Sequence, residues 1–281
     1  HIATEGPVGW MARSYCRRHK LTFTTSYHTR FPEYAAEHFG LPRSIVYSVM
    51  KRFHRGSAGI MVATPSLQRE LTARGFRNVT PWTRGVDTDV FKPRPDRIFG
   101  GDGPVFLYVG RVSREKNIEA FLSADLPGIK VVVGDGPHLH ALIERFPNVR
   151  FAGRRTGEDL ARHFASADVF VFPSRTDTFG LVILEAMASG LPVAAYPVTG
   201  PIDIIDDAKS GAVDEDLAAA ARRALKLEST NARRRALDFT WRATAELFLK
   251  NVRQARAFAA WPRPAPIPGD ARRAFAAAIR K

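Results

Sequence analysis

From residue 105 onward the chain repeats one short unit, and that repetition restricts its fold more than any other feature. Apolar runs at Val105–Val109, Ile129–Val133, Val149–Ala152, Val169–Phe172 and Val193–Tyr196 alternate with helical segments near 116–124, 137–146, 156–166 and 180–189. Each run is too short for a helix and is apolar at consecutive positions, so a strand formed there needs cover on both faces. A helix between successive strands makes the strands parallel. The expected fold class is therefore α/β, a doubly wound parallel sheet. A chain of 281 residues is long enough for a second unit beside it.

Residues 1–85 read as mixed α/β. A strand end at His1–Ala3 precedes a helix at Pro7–His19, a strand at Leu21–Ser26, a helix at Pro42–His54 and a strand at Ile60–Ala63. Thr64-Pro65-Ser66 then gives the start signal of another helix. Because a strand end directly follows His1, the chain is expected to begin inside a domain. Clusters of Pro, Gly and Asp across 81–104 mark a boundary. Asp87-Thr88-Asp89 within it reads as a turn or linker rather than a metal site, since no strand or further ligand accompanies it. The expected division is 1–85, 86–240 and 241–281. The last part holds a basic helix near Trp241–Ala260, a Pro-rich break at Trp261–Gly269 and a tail packing toward the first unit.

In open parallel sheets ligands sit at the carboxyl ends of the strands. After Val109 come Gly110, Arg111 and, five residues on, Lys116, a set suited to a diphosphate: Arg forks two oxygens and Lys is a point charge. Gly134-Asp135-Gly136-Pro137 is a tight turn that permits close approach, a weak signal alone. Gly153-Arg154-Arg155-Thr156 either flanks a base or phosphate or supplies a helix cap. After Phe172, Asp177 and Thr178 are either caps or ligand groups, and Gly180 opens an apolar helix whose start offers amides to an anion. Glu185 lies inside that apolar helix, where a carboxylate needs an Arg or a bound hydroxyl as partner. The polar loop Ser26-Tyr27-His28-Thr29-Arg30-Phe31-Pro32 directly follows a strand.

The net charge of +14 calls for an anionic partner. Arg13, Arg17, Arg18 and Lys20, and again Lys51, Arg52 and Arg55, alternate with apolar residues, a pattern found on helices that lie on an anionic membrane surface and equally on a solvated face. No nucleic-acid motif or aromatic stacking platform is present, so no nucleic-acid partner is expected. The single cysteine, Cys16, excludes an internal disulfide and suits a reducing cytoplasm. No apolar run approaches the ~20 residues of a membrane-spanning helix.

Asp177-x7-Glu185 resembles the Glu-x7-Glu signature of retaining GT-B glycosyltransferases of family 4, with Asp in place of the first Glu. Gly85–Pro93, Gly110–Asn117, Val133–Pro137, Ala167–Ser174 and Glu185–Pro192 match in the same order, over roughly residues 20–260. Ser26–Thr29 is similar to the subgroup acting on lipid or cell-envelope acceptors, of the sulfoquinovosyl- or glucuronosyl-diacylglycerol and mannosyl-phosphoinositide type. The resemblance implies two Rossmann-like domains, the N-terminal one incomplete, and bacterial lipid or envelope glycan synthesis in the cytoplasm, peripheral on the inner face of the membrane. It implies transfer from a UDP- or GDP-linked sugar with no metal and no cofactor. Arg111 and Lys116 would hold the diphosphate. Asp177, with the backbone of Thr178, Phe179, Gly180 and Leu181, would hold sugar hydroxyls and phosphate. Glu185 would bind the ribose, Gly110, Gly134 and Arg154 would border the nucleotide, and His28 would touch the sugar from the other domain. A sugar-nucleotide epimerase, a phosphorylase of the same fold and a non-catalytic basic membrane-binding module are the alternatives.

Overall fold

The computed structural model of the chain describes residues 1–95, 97–100, 103–177 and 179–260. The first unit runs α1 (Pro7–Arg18), β1 (Thr24–Tyr27), α2 (Phe31–Phe39), α3 (Arg43–His54), β2 (Gly59–Val62), α4 (Pro65–Ala73) and β3 (Val79–Pro81). Its strands are parallel in the order β1-β2-β3. Ile2 adds a parallel bridge to Thr25 beyond β1.

β1 and the loop after it depart from the sequence expectation. The strand expected at 21–26 begins three residues later and takes in Tyr27. Lys20 turns to φ 55° and the Leu21 amide donates to the Cys16 carbonyl (2.8 Å), so this segment closes α1 instead. Tyr27 joins the strand because its ring is buried in the core. The polar loop is also shorter than expected, because α2 starts at Phe31. Pro32 in its first turn and Gly40 at φ 64° after its end are its start and stop signals. α4 begins as expected: the Thr64 hydroxyl accepts from the Leu67 amide.

The second unit runs β4 (Val105–Val109), α5 (Ile118–Ser123), β5 (Ile129–Val133), α6 (Leu139–Arg145), β6 (Arg150–Gly153), α7 (Gly157–Ala165), β7 (Val169–Phe172), α8 (Leu181–Ala188), β8 (Val193–Ala195), α9 (Pro201–Ile204), β9 (Gly211–Val213), α10 (Leu217–Ala224) and α11 (Ser229–Ala236). Its sheet has the order β6-β5-β4-β7-β8-β9, and every pairing is parallel. Numbered from β4 this is 3-2-1-4-5-6, the Rossmann order. Alternate side chains feed two cores, one on each face. Leu107 and Phe170 pack with Ile183 and Leu184 on one side, while Phe106 and Val169 pack with Phe121 and Val132 on the other. This double burial is why the strands read as continuous apolar runs.

α12 (Trp241–Ala260) returns to the first unit. Trp82 Nε1 donates to the Thr244 carbonyl (3.2 Å), Asn251 Nδ2 donates to the Pro81 carbonyl (2.8 Å), and the rings of Trp82 and Phe248 lie 5.0 Å apart. A second tie joins α4 to α9: the Ser66 amide and hydroxyl both donate to Asp203 Oδ1, at 3.0 and 2.9 Å. The Pro-rich segment and the tail, residues 261–281, lie outside the described residues.

Phe170 is fully buried, with Phe164 and Phe172 beside it. Phe170→Ala leaves a cavity at the centre of the second sheet and is expected to lower stability by about 3–5 kcal/mol, read from urea denaturation.

Candidate active site

The order of the second sheet reverses between β4 and β7, so the loops leaving these neighbours diverge and leave a crevice. Lys116 follows β4 and Asp177 follows β7. They meet there, with Lys116 Nζ donating to Asp177 Oδ1 at 2.6 Å and each side chain about a quarter exposed. Asn117, held at φ 52°, donates from Nδ2 to the Pro173 carbonyl (3.1 Å) and ties the same two loops. Asp177 Oδ2 is buried and has no hydrogen-bond partner. Asp177 is therefore not a helix cap. The cap position of α8 belongs to Gly180, at φ 88°, and no side chain among the described residues caps the helix. A Cβ on Gly180 would lie 2.9 Å from Ile183 Cδ1 and 3.3 Å from Phe172 Cζ, so only glycine fits this turn. Uncapped, the first amides of α8 remain available to an anion. Phe179 turns inward against Phe239, with ring centroids 6.4 Å apart, and only its backbone borders the turn, while Leu181 is exposed. Thr178, expected in the same group, lies outside the described residues.

Beside this crevice a cavity of about 540 Å³ opens between the loops after β4, β5 and β6. Gly110, Arg111, Gly134, Asp135, Arg154 and Arg155 line it. Backbone bonds zip the loops together: Gly110 to Val133 (3.0 Å), Gly134 to Gly153 (2.9 Å) and Val112 to Asp135 (2.9 Å). A Cβ at Gly134 would sit 1.9 Å from the Gly110 carbonyl oxygen, which accounts for the glycine there. Thr156 occupies the cap position of α7 but its side chain makes no capping bond. Among the described residues no carboxylate pairs with Arg111 or Arg154, whereas Arg155 reaches Asp159 (3.3 Å). The cavity is concave and cationic, as phosphate binding requires.

Glu185 and His28, both half-buried, carry shifted titrations. Burial raises the Glu185 carboxyl to about 7. Among the described residues nothing pairs with it, so the Arg partner offered by the sequence reading is not there. His28, immediately after β1, is lowered to about 4 by burial and then by Arg84. Arg84 Nη2 lies 2.6 Å from His28 Nδ1. A guanidinium only donates, so Nδ1 accepts and the proton of the neutral ring sits on Nε2. His28 is thus set up to donate one hydrogen bond, with no lone pair left for a general base.

Sequence reasoning missed Arg84 and Tyr108. Arg84 lies in a segment that reads only as a boundary, and its burial shows only in the fold. Tyr108 reads as core in an apolar strand. Its hydroxyl donates to the Arg111 carbonyl (2.8 Å) and fixes that loop. Burial first, then Asp177 and Glu115, push the phenol pKa up, so it stays a donor. Asp87 accepts from the amides of Asp89 and Val90 (3.0 and 3.1 Å), which makes the Asp-x-Asp segment a turn.

Two parallel α/β units, one carrying a cationic crevice at its strand-order switch point, have the architecture of the GT-B type. A family model described as glycosyl transferases group 1 matches residues 103–229, and one described as glycosyltransferase family 4 matches residues 1–90. Sulfoquinovosyl transferase SQD2 of Arabidopsis thaliana is 33% identical over 229 residues, 75% of this chain and 45% of that protein. A GDP-mannose-dependent alpha-mannosyltransferase of Mycobacterium tuberculosis is 32% identical over 221 residues, 75% of this chain and 58% of that protein. The structure of sucrose-phosphate synthase from Thermosynechococcus elongatus superposes with a TM-score of 0.73 at 26% identity, covering 89% of this chain and 71% of that one. The chain belongs to the group 1, family 4 glycosyltransferases. It spans about half the length of the curated relatives it matches.

Because the folded Glu185 holds its proton up to about pH 7 while the unfolded carboxyl loses it near 4.5, stability from this group falls as pH rises between those values and levels above them. Glu185→Gln is expected to remove that slope and to stabilise the unliganded chain at pH 8 by up to about 3 kcal/mol, read as the difference between paired denaturation curves. Arg84→Met is expected to raise the His28 pKa above about 4, followed by NMR titration of the imidazole.

Proposed function

We propose that this chain is the donor-binding part of a retaining glycosyltransferase that moves a sugar from a UDP- or GDP-linked donor to a hydroxyl of a lipid or cell-envelope glycan acceptor. One observation carries the reading. Lys116 and Asp177 meet at the switch point of the sheet, beside a cavity where Arg111 and Arg154 have no carboxylate partner among the described residues. The acceptor class rests on the names of the relatives, sulfoquinovosyl and mannosyl transferases. Action at the inner face of the cytoplasmic membrane is part of the proposal. Among the described residues no helix is long and apolar enough to cross a membrane.

The chemistry follows from what these groups can do. Arg111 and Lys116 receive the diphosphate, and their charge matters most as the bond from the anomeric carbon to phosphate breaks and negative charge grows on the leaving oxygen. The acceptor hydroxyl attacks on the face that the diphosphate leaves, and the departing phosphate oxygen takes its proton, so no protein base is needed. Asp177 Oδ2 accepts from a sugar hydroxyl while Oδ1 stays on Lys116. Glu185 accepts from the ribose hydroxyls, and this contact favours the ionised carboxylate over the proton it otherwise holds. His28 donates from Nε2 to the sugar and is positioned by Arg84. The site works mainly by placement and electrostatics.

Ranking UDP, GDP and ADP by thermal shift identifies the base, since the preferred nucleotide stabilises the fold by mass action. Lys116→Ala is expected to lower turnover by about 10²–10³-fold, with the anomeric configuration of the product read by NMR. Transfer at the unsubstituted rate by that variant, or sugar release and epimerisation without an acceptor, would overturn the assignment.

A further inference from the structure

A second cavity, of about 1550 Å³, lies away from this site, at the amino ends of β1, β2 and β3. Phe23, Ala58 and Asn78 line it, and each sits directly before one of those strands. His28 follows the opposite end of β1, about 13 Å along a strand of four residues. Six cationic side chains surround the groove: Arg17, Lys20, Lys51, Arg52, Arg55 and Arg77. None of its lining residues is a carboxylate, and no carboxylate among the described residues pairs with any of the six. The two basic clusters of the sequence, tied by the bond from Arg13 to the Arg52 carbonyl 39 residues on, thus converge on one surface.

Helix termini account for part of this. α1, α3 and α4 all end at this face, and basic residues in a last turn complement the helix dipole. Arg13 does that work directly. Its Nε donates to the Phe53 carbonyl (2.6 Å), and its Nη2 donates to those of Arg52 (2.7 Å) and Arg55 (3.2 Å). Arg17, Lys51 and Arg52 lie in last turns, but none of the other six bonds a helix-end carbonyl among the described residues, and repulsion is felt at Arg13, whose pKa is lowered first by burial and then by Arg17 and Arg52. A second observation comes from a neutral residue. Ser57, only 5% exposed, lines the groove, and its hydroxyl is buried without a hydrogen-bond partner. A buried donor left unmade is costly unless something occupies the site.

We infer that this groove is a second anion site, taking a phosphate ester or diphosphate group, with Ser57 donating to a phosphate oxygen and the six cations supplying the charge. The phosphate belongs either to a soluble molecule or to a lipid headgroup. Both sources present the same chemistry to the groove, and the test separates them.

Two probes serve: inorganic pyrophosphate, titrated calorimetrically at physiological ionic strength, and vesicles of phosphatidylcholine with and without phosphatidic acid, followed by co-sedimentation. Both use the full chain carrying Arg111→Ala, Lys116→Ala and Arg154→Ala together, so that pyrophosphate bound at the donor crevice does not contribute. At least one probe is expected to bind, and the exposed charge reversals Arg17→Glu and Arg52→Glu together are expected to weaken it by at least about tenfold. Ser57→Ala is expected to weaken the same binding while leaving the fold intact by circular dichroism. Pyrophosphate binding assigns a soluble phosphate, and vesicle binding that requires phosphatidic acid assigns a headgroup. Binding of neither probe, or binding that survives the charge reversals, overturns the inference. None of these outcomes bears on transfer by the unsubstituted chain, which tests the donor site separately.

Discussion

The site depends on one adjacency, the pairing of β4 with β7. Phe106 lies opposite Val169 and Leu107 opposite Phe170, and that short parallel register brings together loops 61 residues apart in sequence. The Lys116–Asp177 contact, the Asn117–Pro173 tie and the crevice itself all follow from it. The adjacency is enforced by burial on both faces, because a different neighbour for β4 would expose one of the two apolar cores. Position is therefore set by packing of Val and Phe, and the charged residues occupy a place already made for them.

The same packing explains what the sequence disclosed. β4, β5 and β7 fall on the residues expected of them, because doubly buried strands leave runs with no polar interruption. β9, three residues beginning with glycine, and β3, an edge strand ending in Pro81, carry no such signal and were not foreseen. α2 announces itself only by Pro32 and Gly40 around an unremarkable helix. At the site, Arg111, Lys116 and Asp177 were legible as polar residues at strand ends. Arg84 and the Tyr108 hydroxyl were not, since their importance lies in burial and in partners 56 and 3 residues away respectively. The empty surroundings of Glu185 were half legible. Its apolar helix foretold an unmet need for a partner, but whether an arginine met that need required the fold.

Charge is distributed unevenly across the donor crevice. Lys116 is already neutralised by Asp177, Arg111 and Arg154 have no carboxylate partner among the described residues, and Glu185 is pushed toward its neutral form by burial. An arriving diphosphate compensates the arginines at once, while ribose hydroxyls give Glu185 a reason to ionise. Each group is thus least satisfied where a nucleotide sugar would satisfy it. Arg84 and His28 follow another logic: a half-buried cation holds a neutral imidazole in one tautomer, so that its one donor is already oriented.

Helix polarity accounts for the different construction of the two anion sites. At the carboxyl ends of parallel strands the following helices begin, so α8 can present uncapped amides and a few cations suffice. At the amino ends of β1, β2 and β3 the helices α1, α3 and α4 finish, and their dipoles place partial negative charge at the surface. An anion is repelled there unless side chains reverse the field. Arg13 first satisfies the carbonyls at the end of α3, and only cations beyond it are free to bind anything. A groove at that end must therefore be richer in Arg and Lys than a crevice at the other, and the six side chains without a carboxylate partner among the described residues exceed what three helix ends require.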